Sequence, residues 1–207
     1  METGLSKSSY SVYPNQDGLW EYLLVARPAE EVYNKLLDVK QSFFDEYKEK
    51  IAIKTKPHIT VANFLATESM EETLIRWIQR ICSQHKSFTV TLNNYSGFPP
   101  HTIFVRVQDH EPFKQLAARL KIIDQYIRSN GCPEARFITR PHVTIARRLD
   151  DHVYNKAMPD FSQKTFHETF ELTELVLLKR SNQFESCKQV NVFRFYPPDT
   201  NMYNEVA

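Results

Sequence analysis

KPHITVANFL (56–65) and RPHVTIARRL (140–149) are two copies of one pattern, [Lys/Arg]-Pro-His-[Ile/Val]-Thr-[Val/Ile]-Ala-x-x-Leu, set in the two halves of a 207-residue chain. On a strand, side chains alternate between faces, so His58 and Thr60 share one face and Ile59 and Val61 the other. The same holds for His142 and Thr144 against Val143 and Ile145. The apolar set packs under helices, and the polar set lines the opposite face. Pro57 and Pro141 fit the first residue of a strand, where a missing N–H does little harm. Packing alone needs no buried imidazole beside a buried hydroxyl, both of which are costly to desolvate. Keeping both in both copies points to a chemical site shared by two related lobes.

The flanks repeat as well. Trp20 to Val25 reads as a strand, and Ala29 to Tyr47 as a helix with Val32, Leu36, Phe43 and Tyr47 on one face. After the first motif, Glu68 to Cys82 is an amphipathic helix and Ser87 to Leu92 a strand, followed by the turn-rich NNYSGFPP. The second half restarts with a strand, His101 to Val107, and a helix, Pro112 to Arg128, that Gly131 stops. After the second motif, DDHVYNKAMPD is irregular. One strand is expected over Phe170 to Leu178 and another over Val190 to Tyr196. Phe88 and Phe170 each open a Phe-x-[Val/Leu]-Thr strand after their motif. Residues 1–18 read as a poorly ordered segment. Residues 19–207 form one bilobal domain, with lobes of roughly 19–100 and 101–207 that can interleave in space.

Composition narrows the function. Lys and Arg total 26 against 25 Asp and Glu, a formal net charge of +1. Long duplex DNA is bound by neutralising many phosphates, so this balance argues against it, whereas a short phosphate ester needs only a local positive pocket. Four glycines leave little material for a Gly-rich phosphate cradle. Cys82, Cys132 and Cys187 form neither a C-x-x-C pair nor a zinc spacing, which suits reduced thiols in a cytoplasmic protein. The first residues lack the apolar core of a signal peptide, and no apolar run reaches 18 residues, so no membrane partner is expected.

Histidine titrates near neutrality, so two of them can hold opposite protonation states at one pH. On a phosphodiester, a neutral imidazole takes a proton from the attacking water while a protonated one gives its proton to the departing oxygen. The Thr60 and Thr144 hydroxyls are placed to donate to the non-bridging oxygens. There is no H-E-x-x-H, and no carboxylate stands at useful spacing from either motif. No metal and no cofactor are therefore expected.

With these residues in view, the chain resembles the 2H phosphoesterase superfamily in its LigT-like, 2′-5′ RNA ligase branch. HITV (58–61) and HVTI (142–145) match that family's His-x-Thr/Ser-hydrophobic signature. FITRPHVTIAR (137–147), GFPPHTIFVRV (97–107) and ELVLLKRSNQFESCKQVNVFRFYP (174–197) are similar too. The resemblance implies an α+β, bilobal fold: two pseudo-symmetric lobes, each a small, mostly antiparallel sheet flanked by helices, around a central groove. It implies catalytic His58 and His142, acting on 2′,3′-cyclic phosphate at RNA ends or in small cyclic nucleotides, with 2′-5′ RNA ligation in some members. A non-catalytic module gripping an RNA end or nucleotide on the same fold is the alternative, and a monomer is the default.

Further substrate-binding candidates are Arg147, Lys56, Arg140 and Phe98. Arg147 continues only the second motif; strict alternation turns it away from His142 unless the strand ends or bulges first. Lys56 and Arg140 each lie two residues before a motif histidine and share its face, either bordering the groove or simply exposed. Phe98, like Tyr95 and Tyr196, can stack on a base or pack in the core.

Overall fold

The computed structural model describes residues 18–182 and 185–197. The segment expected to be loosely held, 1–18, lies outside them except for Gly18. In chain order the elements are β1 (Leu19–Ala26), α1 (Glu30–Tyr47), α2 (Lys50–Lys54), β2 (Ile59–Thr67), a 3₁₀ turn (Glu68–Met70) and α3 (Glu71–Cys82). There follow β3 (Phe88–Phe98), β4 (Thr102–Val107), α4 (Glu111–Ser129), β5 (Arg136–Phe137) and β6 (His142–Ala146). The chain then forms α5 (Asp151–Gln163), β7 (His167–Leu172), β8 (Glu174–Arg180) and β9 (Lys188–Arg194). No helix of the described residues is long and apolar enough to cross a membrane.

The strands form one open antiparallel sheet in the order β7-β3-β4-β6-β2-β1-β8-β9, with β5 added to β2. The two motif strands, β2 and β6, lie side by side at its centre. They meet through the single register pair Ile59↔Val143, so two four-stranded halves abut there. Each half runs outward from a motif strand to the strand that opened its chain half, β1 beside β2 and β4 beside β6. The outer strands are exchanged. β3, from the first half of the chain, extends the β6–β4 side, and β8 and β9 return to extend the β2–β1 side.

This order makes β3 the counterpart of β8. Phe88 and Phe170, which the repeat suggested as equivalents, sit instead on neighbouring strands with Val90 opposite Phe170. A four-residue apolar pattern is common to any strand with one buried face, so it does not identify an equivalent position.

Helices cover the face to which Ile59, Val143 and Ile145 point, all three fully buried. α1 and α2 lie on β6, α4 on β2, α5 on β3 and β4, and α3 between α4 and β9. α1 forms because its buried positions recur at helical spacing, Val32, Leu36, Lys40 and Phe43. Glu30 and Glu31 suit its positive N-terminal end, and Lys48 closes it in a left-handed conformation at φ 60°. α4 carries Pro112 in its first turn, where no N–H is needed, and Gly131 just beyond its end has φ +76°, the stop expected from sequence. Phe43 meets Phe161 of α5 at 5.3 Å between ring centroids. The Tyr47 hydroxyl donates to Asp160 Oδ2 at 2.6 Å, tying the same two helices at their rim.

Three readings need correction. DDHVYNKAMPD opens a regular helix, α5, with Pro159 inside it. Proline forfeits one backbone hydrogen bond in a helix interior, and burial of Tyr154, Ala157 and Phe161 outweighs that loss. The single strand expected over Phe170 to Leu178 is two strands divided at Thr173, β7 pairing with β3 at one edge and β8 pairing with β1 in the other half. Alternation records which face a residue takes and carries no trace of a change in partner. The strand expected to end at Leu92 runs on through NNYSGF to Phe98. A bulge between Leu92 and Tyr95 absorbs its turn signal, with Asn94 left-handed at φ 56°, a conformation asparagine tolerates.

Candidate active site

His58 and His142 are held by the same local device. His58 Nδ1 lies 2.7 Å from the carbonyl oxygen of Lys56, and His142 Nδ1 lies 2.7 Å from that of Arg140. A carbonyl only accepts, so in each ring Nδ1 carries the proton and donates it. Nε2 is thereby left as the atom that gains or loses a proton. The buried prolines between, Pro57 and Pro141, stiffen the short loop that closes each bond.

Strand register brings the two devices together. Extending the Ile59↔Val143 pair by one residue each way sets His58 against Thr144 and Thr60 against His142. All four are half-buried on the face the helices leave uncovered. Proximity also shows in charge, because protonation of His142 opposes protonation of His58.

The two histidines are not equivalent. Burial holds His58 below the ordinary histidine range; its bond to the Lys56 carbonyl pulls upward, and the positive charges of Lys40, Arg147 and His142 push further down. His142 is also lowered by burial and raised by its carbonyl bond, without the Lys40 and Arg147 charges that act on His58. Its surroundings are aromatic instead. The Phe98 ring stands edge-on at 5.2 Å and the Phe104 ring tilted at 4.8 Å from the imidazole. One side of the groove is thus cationic and the other apolar.

Arg147 reaches this groove because β6 ends at Ala146 and the chain turns at once, with Arg148 at φ 55°. Alternation therefore stops before it can turn Arg147 away. Its charge acts on His58, Lys40 and Glu21, and its Nε is buried without a hydrogen-bond partner. Beside it, Glu21 accepts from Asn63 Nδ2 at 2.7 Å and from Arg180 Nε at 2.6 Å. Lys56 and Arg140 supply backbone carbonyls to the histidines, and their side chains are exposed. A cavity of about 410 Å³ takes in Lys56 together with Arg27, Tyr33 and Glu174, and it contains neither histidine. The paired histidines lie instead on the open sheet face. Phe98 lies at the site, whereas Tyr95 is 9% exposed and packed edge-on to Phe161. Tyr196 is bonded through its backbone to the His85 carbonyl, away from the groove. Among the described residues no cluster of three or more His, Cys, Asp or Glu is arranged to hold a metal ion.

Lys40 also belongs to this site, and the sequence did not bring it forward. It occupies the apolar stripe of α1, at the position between Leu36 and Phe43, and is 1% exposed. Its Nζ donates to the Thr144 carbonyl at 2.9 Å, to the Ile145 carbonyl at 2.8 Å and to Thr55 Oγ1 at 3.1 Å. A lysine at a stripe position was the available signal. Glu21, Asn63 and Arg180 gave none, since polar residues on the solvated face of a strand are commonplace.

Residues 28–183 match the 2′-5′ RNA ligase superfamily. The fold is similar to Escherichia coli LigT complexed with 3′-AMP, at 16% identity and a TM-score of 0.64 over 86% of this chain and 98% of that one. It is also similar to TT0787 of Thermus thermophilus, at 15% identity and a TM-score of 0.64 over 86% and 98%. Kluyveromyces marxianus Usb1 is similar at 18% identity and a TM-score of 0.51 over 82% and 96%. No curated protein matches the sequence. With the motif strands paired at the centre of a LigT-like α+β sheet and three quarters of the chain matched, this protein belongs to the 2′-5′ RNA ligase superfamily.

Proposed function

We propose that the protein is a metal-independent phosphodiesterase that opens 2′,3′-cyclic phosphates, at RNA ends or in small nucleotides, with His58 as general base and His142 as general acid. The observation that carries this reading is the matched pair of Nδ1-anchored imidazoles, each opposite the other's threonine on one uncovered sheet face. The relative complexed with 3′-AMP supports a nucleotide ligand. Membership of the superfamily makes 2′-5′ ligation a second activity to assay, the same ring opening with a 5′-hydroxyl in place of water as the nucleophile and the 3′-oxygen as the leaving group.

In the hydrolytic direction, neutral His58 takes a proton from water through Nε2 as the water oxygen bonds to phosphorus. Protonated His142 gives its Nε2 proton to the ribose oxygen whose bond to phosphorus breaks. The pair ends in exchanged protonation states and resets through solvent. Cations around His58 favour its neutral form, which suits the base. Thr60 and Thr144 donate to the non-bridging oxygens, and Arg147 lends positive charge to the same anion. Phe98 and Phe104 form the apolar wall on the His142 side, a surface for a base.

Two measurements test this. Turnover of 2′,3′-cyclic nucleotides survives EDTA; activity abolished by chelation and restored by zinc overturns the metal-free mechanism. The pH profile of kcat/KM is bell-shaped. The acid limb falls where His58 gains a proton and the base fails, and the alkaline limb where His142 loses one and the acid fails. Both values are depressed in the free protein, so the optimum lies on the acid side of histidine's usual 6.5. A bound phosphate raises both, so the kcat optimum moves to higher pH. A flat profile between pH 5 and 8 refutes the paired-histidine chemistry. Nucleotide binding without turnover would mark a binding module instead.

A further inference from the structure

Lys40 is a buried ionisable group that this chemistry does not use. All three of its hydrogen bonds go to neutral acceptors, one hydroxyl and two carbonyls. Among the described residues no carboxylate offsets its charge. α2 is followed by the Thr55 hydroxyl, β6 presents only carbonyls, and the ionisable groups that bear on it are Arg147 and His58. A buried cation without a counter-ion is costly. An apolar side chain at this stripe position, between Leu36 and Phe43, would avoid that cost. Arg147, close by, has its own buried and unpartnered Nε. Glu21 is the carboxylate that acts on Arg147, and Arg180 shares it, so Lys40, Arg147 and Arg180 together leave the floor of the groove with more positive charge than this carboxylate offsets.

We propose that Lys40 is a positioning residue of this site: its ammonium seats β6 through the Thr144 and Ile145 carbonyls and holds a buried charge that is balanced only when the substrate's phosphate binds. This rests on reading the groove as a phosphodiester site. The bonds fall on the backbone of the second His-x-Thr motif, so the lysine fixes from beneath the strand that aims His142 and Thr144 from above. Its charge also lies where it disfavours protonation of His58, in keeping with that ring's role as base. Burial, with Arg147 adding repulsion, pushes Lys40 down to about 7. An arriving anion reverses that pressure, and by linkage the protonated lysine tightens the anion by the same factor.

Inorganic sulfate is the probe, since it mimics phosphate without titrating near neutrality. At pH 6.5, Lys40→Met binds sulfate at least about tenfold more weakly than the wild type by calorimetry. Its Tm is equal or higher. The sign follows from the lowered value: between about 7 and the usual 10.5 the unfolded chain holds a proton that the folded lysine gives up, so the native lysine costs stability at neutral pH. In wild-type protein labelled with ¹³C at lysine Cε, one resonance titrates near neutrality, is absent in Lys40→Met, and moves to higher pH when sulfate saturates the protein.

Sulfate affinity in folded Lys40→Met within twofold of wild type, or a lysine titration that sulfate does not move, overturns the proposal. If Lys40→Met does not fold, the wild-type titration decides, with Lys40→Arg assigning the resonance. Wild-type protein that binds no sulfate and turns over no cyclic nucleotide overturns the phosphodiesterase reading as well. Wild-type protein that does both, beside a variant with undiminished sulfate binding, overturns the role of Lys40 alone.

Discussion

Replacing His58 or His142 with alanine lowers kcat on a 2′,3′-cyclic nucleotide by about 10³–10⁴-fold, the upper part of the range for general acid–base catalysis. In the proposed mechanism each imidazole acts through Nε2 on one proton transfer, and neither transfer has a substitute in the groove. Thr60 and Thr144 are too weakly acidic or basic to replace them, and Arg147 does not give up its proton at neutral pH. The double variant loses about as much as either single one, because removing one partner already breaks the concerted step. Both variants stay folded, since the half-buried rings contribute one backbone hydrogen bond apiece, worth about 0.5–1.5 kcal/mol. Steady-state rates alongside thermal melts check this. A single variant with near-wild-type kcat removes that histidine from the mechanism.

Phe43→Ala carries the largest expected stability loss, about 3–5 kcal/mol by the usual cost of deleting a buried aromatic. Phe43 is fully buried and packs between Tyr47 at 4.8 Å and Phe161 at 5.3 Å. Its removal opens a cavity between α1 and α5 that the rigid sheet beneath cannot fill. Urea unfolding should show a lower midpoint with an unchanged m value, since the surface exposed on unfolding stays nearly the same. Because α1 also carries Lys40, the folded fraction should show weaker sulfate binding than wild type. A loss under 1 kcal/mol would mean that the two helices are not locked through this ring.

The site was legible to the extent that its residues recur. His58, Thr60, His142 and Thr144 stood out because a polar pair kept at period two in two copies is hard to explain by packing, and the strand register sets them together as alternation requires. Arg147 was readable only as a conditional, because whether β6 ends at Ala146 depends on what β6 pairs with. Lys40 was masked by its own helix. A lysine reads as a solvated residue, and its burial depends on carbonyls of a strand more than a hundred residues away. The α5 helix was hidden by Pro159, and the break at Thr173 by an uninterrupted strand pattern.

Sequence by itself determined most of the elements and the faces of the motif strands, because side-chain period is a local property: which residues of each motif look inward, which look outward, and that the chain carries two similar halves. Only tertiary structure decided the partners. Placing β2 against β6, exchanging β3 for β8, and driving Lys40 beneath Thr144 all depend on contacts between distant segments. Their energies come from burial and hydrogen bonding that no local window of residues contains.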